Sequence, residues 1–202
     1  MKCVTMSKVS KKPNIYLDQR GQAMKRTKEK GFVSVEMGLT MLVGGILIVA
    51  AILFFTDNLR KTSVSANVQQ LQMIAGTAKS TYGARNEYGS VTTAVAVRGH
   101  VIPADLRDGT NPTATNQFGA SISVTPATTG TGGANDALSV AWGNVPAAQC
   151  PDIVTSVASS MRRIAVAGTD VKPLDSALNI ATLTSQCETS DNVAITFIIG
   201  RS

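Results

Sequence analysis

The sequence predicts an α+β chain in which a long N-terminal helix packs on an antiparallel β-sheet, with an additional helix in the C-terminal region. Three observations predict it. An apolar run over residues 32–55 passes without a proline into an amphipathic stretch. Two β-prone runs, 120–124 and 137–142, flank a Thr/Gly-rich connection. The chain then ends on a nearly continuous apolar run at 192–199, suited to a buried central strand.

The elements follow in order. Residues 1–31 hold nine Lys or Arg against two acids, and the rest of the chain holds ten against eleven, so the net charge of +6 belongs to the leader. From Thr81 onward there are seven basic and nine acidic residues with little aromatic content, and direct nucleic-acid binding is not expected. The 24 residues of 32–55 would extend about 36 Å as a helix, enough to cross a hydrocarbon core of about 30 Å. Arg20, Lys25, Arg26, Lys28 and Lys30 precede this span and only Arg60 and Lys61 closely follow it, which places the leader in the cytoplasm and the bulk of the chain across the membrane.

Beyond Phe55, Val64, Val68, Leu71, Ala75 and Ala78 recur at spacings of four and three, so one helix is expected over 32–80, with 56–80 amphipathic. Gly44 and Gly45 fall inside it, either for close helix packing or for local unwinding. Residues 81–116 read as loop with short helical or strand pieces, punctuated by glycine and proline. The two β-prone runs read as a hairpin. Pro146 and Asp152 supply helix-start chemistry for 146–163, where Ile153, Val157 and Met161 share a face, and a strand is expected at 164–167.

Cys3 lies in the leader, which leaves Cys150 and Cys187 as an even pair in an oxidising compartment. A disulfide between them is the expected state, two buried free thiols the alternative.

Few residues offer other chemistry. His100, the single histidine, follows a glycine in a loop without a nucleophile motif. Thr129-Gly130-Thr131-Gly132-Gly133 lacks the Gly-Lys-Ser/Thr that would make it a phosphate loop. Asp105 and Asp108 could assist calcium but read more simply as a turn, because Arg107 intrudes and a third carboxylate is missing. No catalytic, cofactor or metal site is expected, and no enzyme activity.

One acid stands apart. Glu36 lies inside the apolar span, where a carboxylate needs a partner unless it snorkels to the nearby interface. It belongs to the stretch Lys28-Glu29-Lys30-Gly31-Phe32-Val33-Ser34-Val35-Glu36. This pattern resembles the processing site of type IV prepilins. The resemblance implies cleavage by a prepilin peptidase after Gly31, N-methylation of the new terminus Phe32, and pairing of Glu36 with the terminal amine of a neighbouring subunit.

The leader length, the segment from Ala147-Ala148-Gln149-Cys150 to Ile164-Ala165-Val166-Ala167, and Cys187 before a terminal apolar strand resemble the type IVb subclass. Phe32 departs from it, since methionine or another aliphatic residue is commoner there.

The resemblance implies the type IV pilin fold in three parts: a leader, 1–31, removed on maturation; a helix, 32–80, whose 32–55 half is membrane anchor and fibre core; and a globular domain, 81–202. It implies a major pilin that starts in the inner membrane with a cytoplasmic N-terminus and ends in an extracellular helical homo-oligomer serving adhesion, aggregation or conjugation. Its partners would be the prepilin peptidase and the inner-membrane assembly machinery. The rivals are a minor pilin or tip adhesin, a type II secretion pseudopilin, and an uncleaved bitopic enzyme.

Overall fold

The computed structural model describes residues 32–85, 87–130 and 133–200, with side chains from residue 37 onward. The described residues divide into two units, parted between Ile48 and Val49. Helix α1 runs Phe32–Ala78, close to the expected 32–80, and passes into a π-helical turn at Lys79–Gly83. Its apolar side chains between Met37 and Leu59 are 50% to 77% exposed. Among the described residues α1 is one helix long and apolar enough to cross a membrane. From Val64 the stripe read in the sequence is used: Leu71, Ile74, Ala75 and Ala78 are buried in the core, with Val64 and Val68 against it.

The loop after α1 carries short helical pieces, as its composition suggests. Among them α2 (Thr93–Arg98) is capped by Thr92, whose hydroxyl accepts from the Val95 N–H.

A five-stranded antiparallel sheet follows: β1 (Ser123–Ala127), β2 (Ala137–Pro146), β3 (Arg163–Val166), β4 (Thr169–Lys172) and β5 (Asn192–Gly200), in spatial order β1-β2-β5-β3-β4. The terminal apolar run is the central strand, as its composition requires. Alternation sends one set of side chains into the core. Val124, Val140, Phe197 and Ile164 are paired in register across four strands, and all are buried.

The hairpin expected between the two β-prone runs forms, with shifted edges. Its first strand is displaced because Asn116 Oδ1 accepts from the N–H groups of Phe118 and Ala120, folding that stretch into a turn. The strand instead runs through Pro126, which an edge position tolerates because its missing N–H can face away from the neighbour. β2 continues past Trp142 through an irregularity at Gly143 and Asn144, the latter at φ 55°.

Helix α3 (Cys150–Val157) is shorter than the expected 146–163: just beyond it the carbonyls of Ala158 and Ser160 are taken by lysines and the chain turns toward β3. Two elements escape the sequence reading. β4 closes a tight hairpin with β3 through Ala167 and Gly168, both at positive φ, the geometry of a type I′ turn. Helix α4 (Ile180–Cys187) is capped by Asn179, which accepts from the Thr182 N–H.

Candidate functional site

Gly31 lies outside the described residues, and so do the side chains of Phe32 and Glu36. Phe32 is the first residue of α1 and Glu36 follows on the same helix.

The cysteines meet. Cys150, the first residue of α3, is bonded to Cys187, the last of α4, with Cα atoms 5.7 Å apart and both residues fully buried. The bridge joins two helices 37 positions apart in sequence.

Around that bridge α3 is held at both ends. At its N-terminus Asp152 accepts from Arg60 of α1 at 2.9 Å, and Gln149 accepts from Ser63 at 3.3 Å. An acid in the first turn also suits the positive end of the helix dipole. At the other end Lys79 donates to the Ser160 carbonyl at 3.0 Å, while Lys172 donates to the carbonyls of Ala158 and Met161. Two amines thus sit at the negative end. Burial pushes the Lys172 amine below its ordinary value, nearby Asp175 opposes that, and Lys79 adds to it.

Between α1 and α3 lies an open groove of about 450 Å³, with Val64 and Val68 at its apolar side and Lys61, Asp152 and Thr155 among its polar margins.

The remaining sequence candidates are engaged with neighbouring side chains and backbone. His100, at φ 57°, lies 2.5 Å from Arg107 Nη1, its Nδ1 facing the guanidinium. Asp105 accepts from Gln70 of α1 at 2.5 Å. Asp108 accepts from the Thr110 N–H at 2.9 Å, the first cause holding its carboxyl below the ordinary value, with Asn111 next. Asp108 serves its own turn, whereas Asp105 ties the loop to α1. Among the described residues no group of three His, Cys, Asp or Glu could hold a metal ion.

The sequence reading missed a second clamp, built on Arg162. Its Nε and Nη2 donate to the two carboxylate oxygens of Asp175 at 3.3 and 2.6 Å, and its Nη1 donates to Thr129 Oγ1 at 3.3 Å. Thr129 is in turn bound to the buried Asp136 through its N–H and its hydroxyl. Nothing local in sequence marks this cluster, since its members come from three separate segments.

The hydrogen bond from Arg162 holds the Asp175 carboxyl below its ordinary value of 3.8; burial, the next influence, opposes it, and the charges of Arg162 and Lys172 add to the lowering. A carboxyl depressed on folding contributes stability above its unfolded value and loses that contribution as pH falls through the folded one. Asp175→Asn should therefore shrink the drop in urea midpoint between pH 6 and pH 3 relative to wild type. An unchanged drop would remove the clamp from the acid response.

With this geometry in hand, the fold defines the class: a long N-terminal helix on an antiparallel sheet, with a disulfide-linked helix pair beside it, the architecture of type IV pilins. The type IVb pilin from Salmonella typhi is 18% identical over 66% of this chain and 97% of its own, with a TM-score of 0.51. TcpA, a type IV pilin from the Vibrio cholerae El Tor biotype, is 20% identical over 68% and 98%, also at 0.51. The family model described as PilS N terminal matches residues 61–200, and the chain belongs to that family. No curated protein matches it.

Proposed function

We propose that the chain is the precursor of a structural pilus subunit of the type IVb kind, cut after Gly31 and assembled through α1 into a helical fibre. The observation that carries this reading is α1 itself. It carries Phe32 and Glu36 of the processing motif, exposes apolar side chains from Met37 to Leu59, and then joins a domain with the type IV pilin fold.

Such a helix is stable in lipid and again among identical helices, so leaving the membrane for a fibre core exchanges one apolar setting for another. Cleavage removes the basic leader and creates the amine that Glu36 lacks. Pairing of the two across subunits would neutralise charges whose separate burial costs several kcal/mol each. The function asked of the domain is assembly, with the major-subunit role and the extracellular fibre following from it.

Amino-terminal sequencing of purified fibres tests the reading directly. Phe32 is expected as the first residue, with or without a methyl group, and an abundant fibre protein beginning at Met1 would overturn it. Gly31→Asp should block maturation. Glu36→Ala should leave a folded, membrane-inserted subunit that yields few fibres; wild-type yield would remove the pairing.

A further inference from the structure

On the face of the sheet turned away from the core, a cleft of about 310 Å³ opens between the β1–β2 connection and the segment after β4. That volume is at the low end of the roughly 300–1,000 Å³ of small-ligand sites. Ile198 and Ala127 form its apolar floor, Leu174 lies on one side, and Thr128 and Thr129 lie on the other. Arg163, register partner of Ile198, and Asp170, register partner of Ala165, complete the lining.

Two adjacent arginines divide the work, Arg162 just before β3 and Arg163 as its first residue. Arg162 ties the walls together through Asp175 and Thr129, two residues from segments that border the cleft. Arg163 enters the cleft. Its Nε donates to Asp170 Oδ1 at 2.7 Å, while its Nη groups and Asp170 Oδ2 have no hydrogen-bond partner among the described residues. Fixed walls reduce the ordering cost of binding.

We infer that this cleft is a binding site for a single neutral pyranose unit of a surface saccharide. The Arg163–Asp170 pair is neutral overall, so it offers no net attraction to an ion. It does offer donors and an acceptor side by side, and each hydroxyl of a vicinal diol can both donate and accept. The Ile198 and Leu174 side chains suit the C–H face of a sugar ring. A carboxylated ligand would meet Asp170. The site belongs to the folded domain and does not depend on assembly into a fibre.

The test is saturation-transfer NMR on the full chain in a sugar-free phosphocholine detergent, with D-glucose, D-galactose, N-acetyl-D-glucosamine and D-glucuronate as probes. Transfer to the ring protons of at least one neutral sugar is expected, with apparent affinity falling at least tenfold in Arg163→Gln and in Asp170→Asn. Ala127→Phe, which fills the floor and leaves the ion pair intact, should abolish the signal, and Trp142 fluorescence reports whether each variant is folded. Absence of transfer to every neutral sugar, transfer confined to glucuronate, or binding that survives in the folded variants would overturn the inference.

Discussion

Trp142→Ala is expected to destabilise the globular domain by about 3–5 kcal/mol, the cost of emptying a large aromatic site in a packed core. Trp142 is fully buried in β2 among residues of the core cluster. Its indole N–H donates to Asn67 Oδ1 of α1 at 3.2 Å, and Asn67 in turn donates to the Ser63 carbonyl at 2.8 Å and to Gln117 at 3.2 Å. The substitution therefore opens a cavity and breaks the polar link that sets α1 against the sheet. Asn67→Ala should cost less, about 1–3 kcal/mol, the penalty for a buried donor left without its acceptor. Pulse proteolysis across a urea series measures both without relying on tryptophan emission. An additive double variant would show that the hydrogen bond contributes nothing beyond the two separate losses.

Cys187→Ser should cost about 3–4 kcal/mol, from the chain entropy released when a loop of 37 residues is no longer closed in the unfolded state. The same loss is expected for Cys150→Ser and for wild type under reductant, since each opens the same loop. The damage should centre on the α3–α4 pair, and hydrogen exchange would locate it there first. Mass spectrometry of the unreduced protein provides an independent check, because two alkylatable thiols at these positions would refute the bridge. Equal stability of the reduced and oxidised forms would refute the energetic claim.

Legibility in the sequence tracked how local the cause was. The α1 span could be read because an apolar run and then a stripe at spacings of four and three are properties of contiguous residues. The buried central strand could be read from its composition. β4 could not, because a four-residue strand with Val171 as its one buried residue shows almost no pattern and its turn is Ala-Gly rather than Asn-Gly. Helix α4 had a legible start in Asn179, followed by Ile180 and Leu183, but at eight residues its periodicity is too brief to stand out from loop. The shift of β1 came from Asn116, whose side chain reorganised residues that propensity alone assigns to a strand.

The candidate site divides along the same line. The charge asymmetry and the pairing of Cys150 with Cys187 were readable because each rests on residue identity or compartment, and the resemblance to a prepilin processing site rests on contiguous residues alone. The clamps around α3, the Arg162 cluster and the Arg163 cleft arise only when β3, β4 and three loops converge, and no rule of spacing brings Thr129, Arg162 and Asp175 together. The one-dimensional pattern thus specifies the apolar span and stripe of α1 and the buried central strand. Long-range contact decides which polar groups satisfy one another, because a buried donor takes whatever acceptor packing places within reach.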